Sequence, residues 1–435
     1  MELLIRMNLK LFLLVSMLCM ALSESRKDSV LPTKLGQFSV PFAAFVQVFK
    51  SGNQNNLFVS TFEAYAFNQP DHIYYFKNPG RYLGSVNSWR MTSVDSINNY
   101  WPNDVIYTPK SVVGREGIIW TSGFLVPTKT HGKLNIYFTD VEPFEGPYNI
   151  ASNDAQDWSY HRVIWADVNH DGSLDAVAAR FDAPFDGSPR QKQLLWLENP
   201  GNGFLEGWRQ HVVAENASDV HFQLTHLTTP DGVRHQVLIS AEFFNERLTL
   251  RYSEQGNFWT DNRLVKTIVI DDTPGQTFDV YLMDLNRDGK EEIVLTAYNK
   301  THGNVFVYDI PQDFRSQRFP RRTIASGFVA NDLHGAAAMT PGCAKLFYKS
   351  REHERSGDKP YLFLSGDDDG KHYILVPNSE DKHNWQYTTH LLENTFGNTA
   401  GAGTAVDLDG DGYTEIVSAG YTAGQVYVYS YDPWW

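Results

Sequence analysis

Short apolar runs, many of them β-branched or aromatic, recur along the chain between turns rich in Gly, Asp, Asn and Pro, the pattern of β-strands joined by tight connections. The runs group into units. The first reads FAAFVQVFKSGNQNNLFVSTFEA and then HIYYFKNPG, and the third reads RVIWADVNHDGSLDAVAARF and then QLLWLENPG, so the two share a strand and turn element. The others are built around GIIWTSGFLVPTKTHGKLNIYFTD, HFQLTHLTTPDGVRHQVLISAEF, FDVYLMDLNRDGKEEIVLTAY, HGAAAMTPGCAKLF and GTAVDLDGDGYTEIVSAGY. Segments of a fourth type, such as WRMTSV, WRQHVVAE and RLVKTIVI, lie between units. Seven units of four strands predict an all-β fold, a seven-bladed β-propeller of four-stranded blades over residues 35–435. A β-solenoid has far shorter repeats. The last unit lacks a fourth strand after Tyr431, and residues 35–40 are expected to supply it and close the ring.

Three turns carry oxygen-bearing side chains at alternate positions. They are Asp167, Asn169, Asp171 and Asp175 in DVNHDGSLD; Asp284, Asn286, Asp288 and Glu292 in DLNRDGKEE; and Asp407, Asp409, Asp411 and Glu415 in DLDGDGYTE. In each a glycine follows the third ligand position, and the backbone carbonyl of the next residue, Ser173, Lys290 or Tyr413, completes the set. A hard divalent cation that wants six to eight oxygens fits such a loop, with Ca2+ as the natural occupant. An EF-hand needs a bidentate Glu at position twelve between two helices, and these loops have Ala178, Leu295 and Ser418 there, between apolar runs. The ion therefore belongs in a turn between two strands. The first positions are 117 and 123 residues apart, so calcium-binding loops are expected in every second blade.

The three loops and their flanking strands resemble the FG-GAP/VCBS repeats of extracellular β-propellers such as the integrin α-chain head. The resemblance implies a propeller and says little of activity, because that family includes adhesion modules, lectins and appendages of enzymes.

Composition narrows the class. A formal charge of −14 argues against nucleic acid as a partner. At the N-terminus Arg6 and Lys10 precede an apolar stretch at residues 11–22 and an Ala21-Leu22-Ser23 site, which reads as a signal peptide over 1–23, followed by a polar leader over 24–34. The apolar stretch is too short for a membrane span, and the mature chain is expected to be secreted, extracellular and monomeric. Cys19 leaves with the signal, so Cys343 has no disulfide partner within the chain. Asn216 and Asn299 stand in N-glycosylation triplets.

Other candidates have plainer readings beside them. His161 and His221 lie six residues before a loop start, and so does His334 if Thr340 opens the loop of unit six. Equivalent positions at the entry of the innermost strand face the axial channel, where three imidazoles could hold a metal or a ligand. The alternative is isolated polar residues at strand starts. Trp120, Trp165 and Trp196 read as core rather than as sugar platforms, and Asp367–Asp369 as a solvated turn. No nucleophile with a recognisable base is present. The expected function is a calcium-stabilised module binding an extracellular glycan or protein; the alternative is a carbohydrate-active enzyme of lyase or dehydratase type with a His-bound metal at the axis.

Overall fold

The alternation of apolar strands and polar turns resolves into seven antiparallel sheets of four strands, arranged as the blades of a propeller. The computed structural model describes residues 29–435 apart from 53, 125, 127, 153–156, 183–189, 204, 218, 256–258 and 332–337. The expected signal segment 1–23 and residues 24–28 of the leader lie outside the described residues. No helix among the described residues is long and apolar enough to cross a membrane.

The first strands of the blades, Ala43–Ser51, Pro102–Thr108, Trp158–Ala166, His221–Thr228, Gln276–Met283, Ala344–Phe347 and Gly403–Val406, lie side by side around the axis. Second and third strands are buried on both faces, because each blade is packed between two others. Gly117–Ser122 and Leu134–Phe138 in blade two are buried at every position. This is why they read as continuous apolar runs rather than as alternating ones. Outer strands such as Val265–Asp271 are partly exposed and polar.

Each junction between blades holds its own apolar cluster. Phe58, Tyr75, Trp120 and Tyr137 join blades one and two; Ile136, Val163, Ala178 and Trp208 join two and three; Val46, Leu57, Val417 and Val428 join seven and one. At about 1.5–3 kcal/mol for burying one such side chain, a cluster of this size outweighs any single polar contact between blades. Trp120 and Trp196 are core residues, and the half-buried Trp165 packs in the same junction as Trp208 and donates its Nε1–H to Tyr107 O at 3.1 Å.

The ring closes through the N-terminal strand. Thr33–Ser39 pairs antiparallel with Gln425–Ser430, beginning two residues earlier than the sequence pattern placed it. Phe38 of this strand packs against Phe76 and Trp89 of blade one, with ring centroids 5.0 and 5.4 Å away.

The first and second strands of blade two are joined through a short helix, Lys110–Val113, where blades three, five and seven have an acidic turn. One reading is corrected. Asp368 and Asp369 are buried rather than solvated. They accept hydrogen bonds from Met339 N, the Thr399 hydroxyl, Lys371 N and the Tyr373 hydroxyl, so the acidic turn is a polar plug in blade six.

A chain starting at Pro41 leaves the edge of Gln425–Ser430 unpaired and removes Phe38 from blade one. It is expected to melt lower and to self-associate in size-exclusion chromatography with light scattering. An unchanged melting temperature and a monomer would count against this closure.

Candidate functional site

The three acidic turns fold alike. In each, the carboxylate at position nine accepts the N–H of position two: Asp175 from Val168 at 2.9 Å, Glu292 from Leu285 at 2.9 Å and Glu415 from Leu408 at 2.8 Å. Position one accepts the glycine N–H: Asp167 from Gly172 at 3.1 Å, Asp284 from Gly289 at 2.9 Å and Asp407 from Gly412 at 3.1 Å. Position five accepts the N–H of position seven, Ser173, Lys290 or Tyr413, at 2.8, 2.9 and 2.8 Å. Position three, Asn169, Asn286 or Asp409, accepts the N–H of position five. The glycines have φ of +90°, +93° and +100°, which a side chain adopts only under strain.

In the turn at Asp407–Glu415 these bonds bring three side-chain oxygens toward one centre. Oxygens of Asp407, Asp409 and Glu415 lie within 4.8 Å of one another, and Asp167 Oδ1 is buried with no hydrogen-bond partner. Burial, with the neighbouring carboxylates adding to it, pushes Glu415 up to about 8, Glu292 to about 7 and Asp175 to about 6. A hard cation would relieve both the crowding and the orphaned oxygen. The loops sit in blades three, five and seven, and the last is gripped by both neighbours. Arg351 of blade six donates to Asp407 at 2.7 Å, and Asn55 of blade one donates to the carbonyls of Asp407 and Leu408. Asn216 and Asn299 are both exposed.

At the axis, four successive blades each contribute a residue. His161 and His221 come together, with ring centroids 5.2 Å apart. His334 lies outside the described residues. Thr340 does not open a loop: blade six runs from Ala344–Phe347 through the helix Arg351–Ser356 to its second strand, and the Thr340 hydroxyl instead donates to Gly366 O. Two residues that spacing did not single out complete the group. Asp279 of blade five is 2.9 Å from His221 Nδ1, and one ligand atom from each of His221, Asp279 and Cys343 lies within 4.8 Å of the other two. All are buried.

Electrostatics set their states. Burial, then His221 and Arg162, push His161 well below the usual range, so it is neutral. Burial opposes ionisation of Asp279, but the His221 imidazole beside it, with Lys345 and Arg162, holds it down at about 2. Burial and Asp279 push the Cys343 thiol well up. Burial acts to lower the Lys345 ammonium, yet Asp279 and Cys343 leave it raised. Arg162 is spanned between Asp104 at 3.0 Å and Phe222 O at 2.8 Å. The signal for Asp279 and Lys345 was a lone charge in an inner strand, QTFDVYLM or AKLF.

No protein-family model matches the chain, and no curated protein matches it. Solved structures with a similar course include an oligogalacturonate lyase from Vibrio parahaemolyticus, at 10% identity and a TM-score of 0.43 over 91% of this chain and 92% of that one. The propeller of Dos1 matches at 11% identity and 0.41, over 89% and 79%. An oligogalacturonate lyase in complex with manganese matches at 11% and 0.41, over 92% and 97%. At this identity and overlap they assign the chain neither an activity nor a ligand.

The turn geometry is testable without any ion. Gly289→Ala adds a methyl with nothing within 4 Å, so its effect is that of forcing a side chain to φ +93°. It is expected to lower stability by about 1–2 kcal/mol in urea unfolding of the ion-stripped chain. No loss would mean that the loop does not hold this turn.

Proposed function

We propose that the protein is a secreted, calcium-stabilised β-propeller of the FG-GAP/VCBS type that binds an extracellular glycan carrying acidic groups. One observation carries the binding reading, a cleft of about 1090 Å3 on blade one and the neighbouring edge of blade two. Trp89, Tyr82, Tyr75 and Phe144 line it together with Lys77, Arg81 and Arg90. Tyr82 is 57% exposed, and the Trp89 indole is fixed by donating Nε1–H to Tyr82 O at 3.0 Å. Aromatic rings offer flat faces to sugar rings, and guanidinium groups pair with carboxylates and sulfates in two-point contacts.

A cationic cleft on a chain of formal charge −14 stands out against its background. Lys77 is already paired with Glu142 at 2.6 Å, which leaves Arg81 and Arg90 as the exposed cations for a ligand. Blade-end loops on a rigid ring are where recognition is usually built. A protein ligand with an acidic surface is the other outcome of the same chemistry. The calcium part of the reading is supported by the all-oxygen donor sets and their threefold repetition.

A second reading, a lyase or dehydratase acting on carbohydrate with a metal at the axis, is favoured by the adjacency of His161 and His221. It places the chemistry at the axis rather than in the cleft, so variants of the cleft separate the two.

Stripping calcium with a chelator is expected to lower the melting temperature, since each site kept at a hundred times its Kd contributes about 2.7 kcal/mol. Asp411→Ala should reproduce part of the loss, and an unchanged melt after verified removal would end the structural role. For the cleft, titration calorimetry with a heparin-derived octasaccharide should show salt-sensitive binding that Trp89→Ala and the pair Arg81→Ala, Arg90→Ala each weaken at least tenfold. Equal binding by these variants, or by a neutral glucan, would remove the cleft from the proposal.

A further inference from the structure

The axial group differs in kind from the calcium loops. Its ligand atoms are a thiol sulfur, an imidazole nitrogen and a carboxylate oxygen, and they come from different blades: His221 from the inner strand of blade four, Asp279 from that of blade five and Cys343 from the residue before that of blade six. We propose that His221, Asp279 and Cys343 form a site for one borderline-soft divalent metal ion, zinc foremost, on the propeller axis. This rests on neither the cleft nor the calcium loops.

Donor chemistry decides the class of ion. Calcium needs six to eight hard oxygens, whereas a set of sulfur, nitrogen and oxygen with few members suits tetrahedral zinc. In such a site neighbouring donors are about 3.5 Å apart, from metal bonds of about 2.0–2.3 Å. The three atoms lie within 4.8 Å of one another, so only a small inward adjustment gathers them. Asp279 is already oriented, because its second oxygen accepts the N–H of Ala344 at 3.0 Å, the kind of outer support that holds a ligating carboxylate in place.

A second observation lies beside the same centre. His161, only 3% exposed, has Nδ1 buried with no hydrogen-bond partner, and its ring stands 5.2 Å from that of His221. An orphaned imidazole nitrogen costs free energy unless something occupies it. His161 is not among the three mutually close ligand atoms, so it is a neighbouring donor that a turn of its ring would bring to the ion.

The charges close consistently. Arg162 is neutralised by Asp104. On binding, the Cys343 thiol loses its proton to solvent, and thiolate and carboxylate together cancel the dication. The Lys345 ammonium, set over the Tyr281 ring at 5.7 Å, then leaves the loaded site with one positive charge. That surplus favours an anion at any open position.

The test uses the full-length secreted chain with calcium present. Cobalt is added first, because a thiolate ligand gives a sulfur-to-cobalt charge-transfer band in the near ultraviolet. One zinc or cobalt per chain is expected, with the band lost in Cys343→Ser and zinc affinity lowered at least tenfold in Cys343→Ser and His221→Gln. Should a variant fail to fold, X-ray absorption at the zinc edge of the unaltered protein reads the same point, a sulfur neighbour at about 2.3 Å. No transition metal bound, a band that survives Cys343→Ser, or a zinc shell without sulfur would each overturn the proposal.

Discussion

Every blade of this ring is apolar on both faces, and the consequence is that no blade can be stable by itself. Its inner strands are satisfied only when a neighbour stands on each side, so the seven junction clusters form one closed chain of dependence. The pairing of Thr33–Ser39 with Gln425–Ser430 turns that chain into a circle. It does more than complete a sheet: Phe38 stands behind Trp89, and Trp89 lines the cleft on blade one. The blade-seven loop is likewise held by Asn55 and Arg351 from the blades on either side. Closure, the cleft and the last acidic loop are therefore parts of one mechanical unit.

The two kinds of candidate site use the ring differently. An acidic loop is written within nine residues, and its hydrogen bonds run between positions one, two, three, five, six, seven and nine of the same turn. Any affinity it has for an ion would depend on local backbone shape. The axial group has no local shape. His161, His221, Asp279 and Cys343 stand near one another only because blades three to six are packed at fixed angles, and any loosening of the junctions separates them.

This difference explains what was legible in the sequence. The strand pattern, the four-strand unit, the N-terminal closure and the acidic turns could be read because each is local or periodic. His161 and His221 could be paired because their offset from the next loop is the same. Asp279 and Cys343 could not, since nothing in a linear spacing says that the fourth residue of one inner strand meets a cysteine 64 positions later just outside another. The turn at Asp367–Asp369 was misread for a similar reason: its carboxylates are satisfied by Met339 and Thr399, which are distant in sequence, so a run that looks made for water is enclosed. Blade two departs from the acidic-turn pattern because a helical turn, Lys110–Val113, joins its first two strands.

The closing strand also sets the order of events in folding. Ser39 and Gln425, which share a side-chain hydrogen bond, are 386 residues apart. A chain made from its N-terminus onward must hold Thr33–Ser39 without its partner until the final blade has been synthesised. During that interval blade one lacks its neighbour and its edge strands are open to other chains. Contacts of such sequence separation form late and slowly. The propeller is therefore exposed to misassembly until Gln425–Ser430 has been made, and pairing with that strand is what ends the exposure.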